Sequence, residues 1–114
     1  MSVRIVEEEL EARLVPVEMS ASPSTPKAKA ESKVYGDGNR RFKLSMDNLD
    51  VPRGEDVEFY INGELLLRIQ IDKGKAKLDL RSENGDSIPV VSANDVAYIR
   101  YSDNVLVKGI FYAD

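Results

Sequence analysis

Val57-Glu58-Phe59-Tyr60-Ile61-Asn62-Gly63-Glu64-Leu65-Leu66-Leu67-Arg68-Ile69-Gln70-Ile71 is the stretch whose reading decides the fold. Val57, Phe59 and Ile61 alternate with polar or amphipathic residues, and Leu65, Leu67, Ile69 and Ile71 do the same after Asn62-Gly63. Period-two alternation on both sides of an Asn-Gly pair reads as a β-hairpin. A two-residue turn would set Ile61 opposite Glu64 and put the two apolar rows on different faces. The apolar pattern therefore predicts an odd loop, Ile61-Asn62-Gly63, with Gly63 left-handed in a G1-type bulge. That register sets Phe59 opposite Leu65 and Val57 opposite Leu67, with Leu65, Leu67, Ile69 and Ile71 in the core.

The same period extends in both directions. Toward the C-terminus, the turn Asp72-Lys73-Gly74-Lys75 predicts Ile71 opposite Ala76, Ile69 opposite Leu78 and Leu67 opposite Leu80. Glu83-Asn84-Gly85-Asp86 turns the chain again, and Ile88-Pro89-Val90-Val91 reads as a short edge or crossing segment because Pro cannot donate to a ladder. Val96 to Tyr101 and Val105 to Phe111 form the last two strands, joined by Ser102-Asp103-Asn104.

Toward the N-terminus, Ala28, Ala30, Ser32 and Val34 alternate with Lys27, Lys29, Glu31 and Lys33. After Asp37-Gly38, Phe42, Leu44 and Met46 alternate with Lys43 and Ser45, completing a second hairpin. Leu10, Ala12 and Leu14 place a first strand near the start. Pro16 shifts its phase, so an edge-strand kink is expected there. Ser20 to Pro26 is rich in Ser and Pro and reads as an extended surface loop. The expectation is one all-β domain over residues 1–114, an antiparallel β-sandwich or flattened barrel of about eight strands.

Composition limits function. At 114 residues, 42% hydrophobic and 32% charged, the chain has material for one core. A net charge of −4, with both signs spread along the chain, argues against a nucleic-acid partner. Arg40, Arg41 and Lys43 beside Lys73, Lys75 and Lys77 read as a solvated strand face rather than a functional patch. There is no Cys and no His. This removes thiol catalysis, the Ser-His-Asp triad and the usual ligands of zinc, copper and iron. No apolar run is long enough to span a bilayer, and no signal-peptide core is present. A cytoplasmic address follows if the chain is complete, and export if a signal peptide has been removed.

Beyond these patterns, Asn62, Gly63, Gly74, Ala76, Leu78, Leu80, Asn84, Gly85, Asp86, Pro89 and Val90, followed by Gly109 and Phe111, form a string of motifs. The string resembles a group of small, uncharacterised bacterial all-β domains. The earlier Leu-x-Pro, small-residue strand and Leu-x-Met run is more loosely similar to the chordin-type domain. The resemblance implies a fold built on shared turns and core positions, and it brings no catalytic residue with it.

The residues then point to a non-catalytic binding or assembly module with no cofactor, no catalytic residue and no metal ligand assigned. Two alternatives stand beside it. One is a carboxylate-based hydrolase or a calcium-dependent protein using Asp47, Asn48, Asp50, Glu55 and Asp56 or Glu83, Asn84 and Asp86. The other is a purely structural homo-oligomerising domain. Every Asp and Glu is expected in a turn or facing outward. Five tyrosines invite a platform, but Tyr98 and Tyr101 point to opposite faces of one strand. A candidate interface is Tyr60, Leu66 and Arg68 on the outer face of the central hairpin, where Leu, Tyr and Arg have the composition of an interface centre. A homodimer using this face or a strand edge is the expected use. The alternative is cover by the segment Val3 to Leu14.

Overall fold

The computed structural model describes residues 5–17 and 25–113. Its strands are β1 (Val6–Pro16), β2 (Lys27–Tyr35), β3 (Arg40–Asp47), β4 (Asp56–Ile61), β5 (Glu64–Gln70), β6 (Ala76–Arg81), β7 (Val96–Tyr101), β8 (Asn104–Ile110) and β9 (Tyr112–Ala113). The only helical element among the described residues is one 3-10 turn, Ser82–Asn84. The spatial order is β5-β4-β7-β8-β1-β2-β3-β6, antiparallel throughout, with β9 added on β1. The sheet curls into a nearly closed eight-stranded barrel, as the alternation predicts. Leu10, Ala12, Leu14, Phe42, Leu44, Val57, Phe59, Ile99, Val107 and Phe111 fill it. Of the loop expected at 20–26, residues 20–24 lie outside the described residues.

The central hairpin corrects the expected register. Asn62 and Gly63 have φ of 51° and 84°, the left-handed pair of a two-residue type I′ turn, and Ile61 pairs directly with Glu64. Phase is restored one step later. Tyr60 pairs with Leu65 and Phe59 with Leu67, so Leu66 is the extra residue of a bulge. Leu65, expected in the core, is 38% exposed, whereas Leu66 packs partly against it. The dipeptide rule and the apolar pattern both hold, because the bulge absorbs the residue that separates them.

The expected pairing of β5 with β6 does not form. Asp72 and Lys75 make one bridge, and the strands then diverge. Ile71 remains with β4, its N–H donating to the Glu55 carbonyl at 2.9 Å. Ala76, Leu78 and Leu80 instead face Met46, Leu44 and Phe42 on β3. Such a pairing extends the β2–β3 hairpin by a strand of matching pattern, and it leaves β5 and β6 as the two edges of the curled sheet. The apolar rows of these edge strands are accordingly half-buried, while those of the central strands are buried. The segment Ile88 to Val91 crosses without forming a strand, with Val91 buried and Ile88 against the core.

β1 is not an edge strand. It pairs with β2 from Val6 to Leu14, then with β8 through Val15 and Pro16, and with β9 through Leu10 and Glu11. Pro16 ends the strand, where its missing N–H is least costly. Residues 5–14 therefore lie within the sheet, separated from β4 by β8 and β7, and do not cover the outer face of the central hairpin.

The pairing also uncovers a repeat that apolar alternation alone did not reveal. Each residue of the β4–β5 hairpin has a counterpart forty positions on in β7–β8. Phe59 matches Ile99 and Ile71 matches Phe111, all buried, and Leu66 matches Leu106, each the extra residue of a bulge. Entry turns match as well. Gly54 and Asn94 have φ of 88° and 75°, and their N–H groups donate to the carbonyls of Ile71 and Phe111 at 2.9 and 2.8 Å. β4 and β7 pair across a local pseudo-two-fold axis, with Phe59 opposite its own counterpart Ile99. One departure from the match has a steric cause. Ile69 corresponds to Gly109, where a Cβ would lie 2.2 Å from the Arg13 carbonyl oxygen of β1.

Two outcomes are expected. Gly109→Ala forces backbone apart and costs about 3 kcal/mol or more, read as a fall in the urea midpoint. Asn62→Ala removes the side-chain bonds from Val96 N–H and to Asp95, both 2.9 Å, and strains a left-handed position. It costs about 1–3 kcal/mol in the same titration.

Candidate functional site

The pseudo-two-fold pairing brings side chains from both hairpins onto one outer face. Register sets Leu65, Tyr60, Tyr98, Lys108 and Val15 side by side across β5, β4, β7, β8 and β1. The Tyr60 and Tyr98 rings stack in parallel, centroids 4.9 Å apart and planes 8° from coplanar. The Arg100 guanidinium lies 5.8 Å from the Tyr60 centroid, within cation–π range. Arg100 is itself held, its Nε donating to the Ser102 carbonyl at 2.8 Å. In the neighbouring row Arg68 meets Glu58 at 3.5 Å. Leu65, Val15 and Ile110 are exposed around the rings.

Of the three residues singled out from sequence, Tyr60 is half-buried at the centre of this face and Arg68 is exposed at its rim. Leu66 is not with them: the bulge turns it onto the core and gives its place to Leu65. Tyr98 and Arg100 were not singled out. Tyr101 does point the other way and packs against the core, but the aromatic pair forms across strands rather than along one. The forty-residue repeat is the signal that could have placed Tyr98 beside Tyr60.

The other half of the sheet has a charged outer face. Glu11 alternates outward on β1 as expected, yet its neighbours cover it and leave it only 4% exposed. Burial pushes its carboxyl up, but hydrogen bonds from Arg13 at 3.1 Å and Lys29 at 3.3 Å outweigh that and hold it below the ordinary range. A buried carboxylate held ionised in this way is not available as a general acid. Glu31 and Glu11 in turn hold Lys29 more firmly protonated. Farther along, Arg41 grips Asp79 through two bonds of 2.9 and 2.7 Å, and Arg81 adds a third contact at 3.4 Å. The Arg41 hydrogen bonds hold Asp79 down to about 2.

Among the described residues no group of three Asp, Glu, His or Cys converges on one point. Asp86, one of the turn acids weighed for calcium, accepts the Arg81 N–H at 2.9 Å and so serves its own turn. No protein-family model matches this chain, and a search of curated proteins gave no match.

The Asp79 cluster gives a pH test. Its folded pKa lies below the unfolded value, so its contribution is present above about pH 4 and is lost as pH falls toward 2. Asp79→Asn is expected to cost about 1 kcal/mol at pH 7, a figure reduced for solvent exposure. Melting curves of variant and wild type should converge between pH 4 and 2.

Proposed function

We propose that this protein is a non-catalytic binding module that docks a protein partner through the outer face of β4, β5, β7 and β8. The observation that carries this reading is the Tyr60–Tyr98 stack, half-exposed beneath Arg100 and bordered by exposed Leu65, Val15 and Ile110. Tyr and Arg with aliphatic neighbours at the centre and charges at the rim match the anatomy of protein interfaces. A sugar platform is less well supported. Each ring of the pair already spends a face on the other, and Arg100 lies over Tyr60, whereas sugar stacking needs open ring faces.

Two measurements test it with the full chain. Sedimentation at micromolar concentration reports whether the partner is a second copy, in which case Tyr98→Glu converts dimer to monomer. If the wild type is a monomer, a protein it captures should, once purified, bind Tyr60→Ser/Tyr98→Ser about thirtyfold more weakly, the loss typical of a hot-spot residue. Rim variant Arg68→Ala should bind nearly as wild type. Unchanged affinity in the double variant with an intact fold overturns the assignment to this face.

A further inference from the structure

Next to the aromatic face, and sharing Val15 with it, the outer surface of β1, β2, β3 and β6 sinks into a trough of about 1020 Å³. Among the described residues Arg13, Lys27, Lys29, Lys73, Lys75 and Lys77 line it with Asp47 and Asp72, while Glu11 and Glu31 on the same face pair with Arg13 and Lys29. With those two glutamates counted, six cations meet four carboxylates, still a local positive excess in a protein whose net charge is −4. The charge is therefore concentrated here rather than an average of the surface. Asp72 is drawn off by Arg53 at 2.8 Å, and Asp47 reaches Lys75 only at 3.7 Å, beyond hydrogen-bond distance. Lys27, Lys73 and Lys77 make no ion pair among the described residues.

Register explains how the cations meet. Arg13 faces Lys29, Lys29 faces Ser45, and Ser45 faces Lys77, so one transverse row across four strands carries three cations, a hydroxyl and no acid. Neighbouring strands lie about 4.8 Å apart, which places Lys29 and Lys77 roughly 10 Å from each other on either side of Ser45. The Asp72–Lys75 bridge then brings Lys73 and Lys75 to the open end of the row.

What the trough lacks narrows its partner. Among the described residues no aromatic ring and no side-chain amide lines it; its aliphatic surface comes from lysine stems and Val15. Bases are held on single strands by stacking, and glycans by rings and directional hydrogen bonds, neither of which is offered here. Ammonium groups act as point charges for phosphate and demand no fixed geometry. We infer that this trough binds a linear condensed phosphate, an anion recognised by closely spaced charge alone. The inference does not rest on the aromatic face, which meets the trough at Val15 but contributes none of its cations.

The test is fluorescence anisotropy of end-labelled inorganic polyphosphate with the full chain across a range of salt concentrations. Saturable binding is expected, with a steep loss of affinity as salt rises. Lys27→Gln/Lys73→Gln/Lys77→Gln should weaken it at least about tenfold and flatten the salt dependence, because it removes three phosphate contacts. The melting temperature should be unaffected, since none of the three lysines holds an ion pair. Arg68→Gln, at the rim of the aromatic face, should bind as wild type. Absence of saturable binding overturns the proposal, as does equal binding by the folded triple variant. RNA or heparin bound as tightly as polyphosphate overturns the condensed-phosphate assignment.

Discussion

At Gly109 there is room for a hydrogen atom and nothing larger, and the closure of the barrel depends on that. The Arg13 carbonyl of β1 lies where a Cβ would be. This close approach lets one long strand run from β2 across to β8, so two hairpin systems share a single core instead of stacking as separate ribbons. β1 is the only strand bonded to both. Its N-terminal part pairs with β2 and β9, and its last two residues pair with β8. Everything inward of that seam, including Leu14, Val107 and Phe111, is buried because the two halves are held together there.

The repeat explains why the glycine falls where it does. In the first hairpin the equivalent position is Ile69, on an edge strand with no neighbour beyond it. In the second, β1 arrives as that neighbour and the side chain is excluded. Two copies of one hairpin plan thus differ where their surroundings differ. The same logic covers the edges. Just before β6 the Lys75 backbone is paired with Asp72, and at its last residue Asp86 bonds Arg81, so both ends of this edge strand are capped by neighbouring turns.

The two outer faces then divide chemically. The β4–β7 side places tyrosines and aliphatic residues around one arginine, and the β1–β2–β3–β6 side gathers lysines over a frame of internal ion pairs. Glu11 and Asp79 are held ionised by adjacent cations, a state that supports binding surfaces and structure rather than proton transfer.

By itself the sequence determined that the chain is all-β, where most strands lie and which row of each is apolar, because side-chain alternation and turn residues act over a few neighbours. The β2–β3 hairpin and the inward rows of β1 and β4 were legible on that basis. Tertiary structure decided what local rules leave open. A bulge let Asn62-Gly63 keep its preferred turn and still bury Phe59, with Leu67 turned toward the core beside it. β6 left β5 because β3 offered a matching apolar row. Tyr98 and Arg100 joined Tyr60, and Lys77 joined Lys29, across strands far apart in the chain. Such juxtapositions follow from which strands become neighbours, and that is chosen by the closing of the whole barrel, since many short strands of similar pattern could pair equally well two at a time.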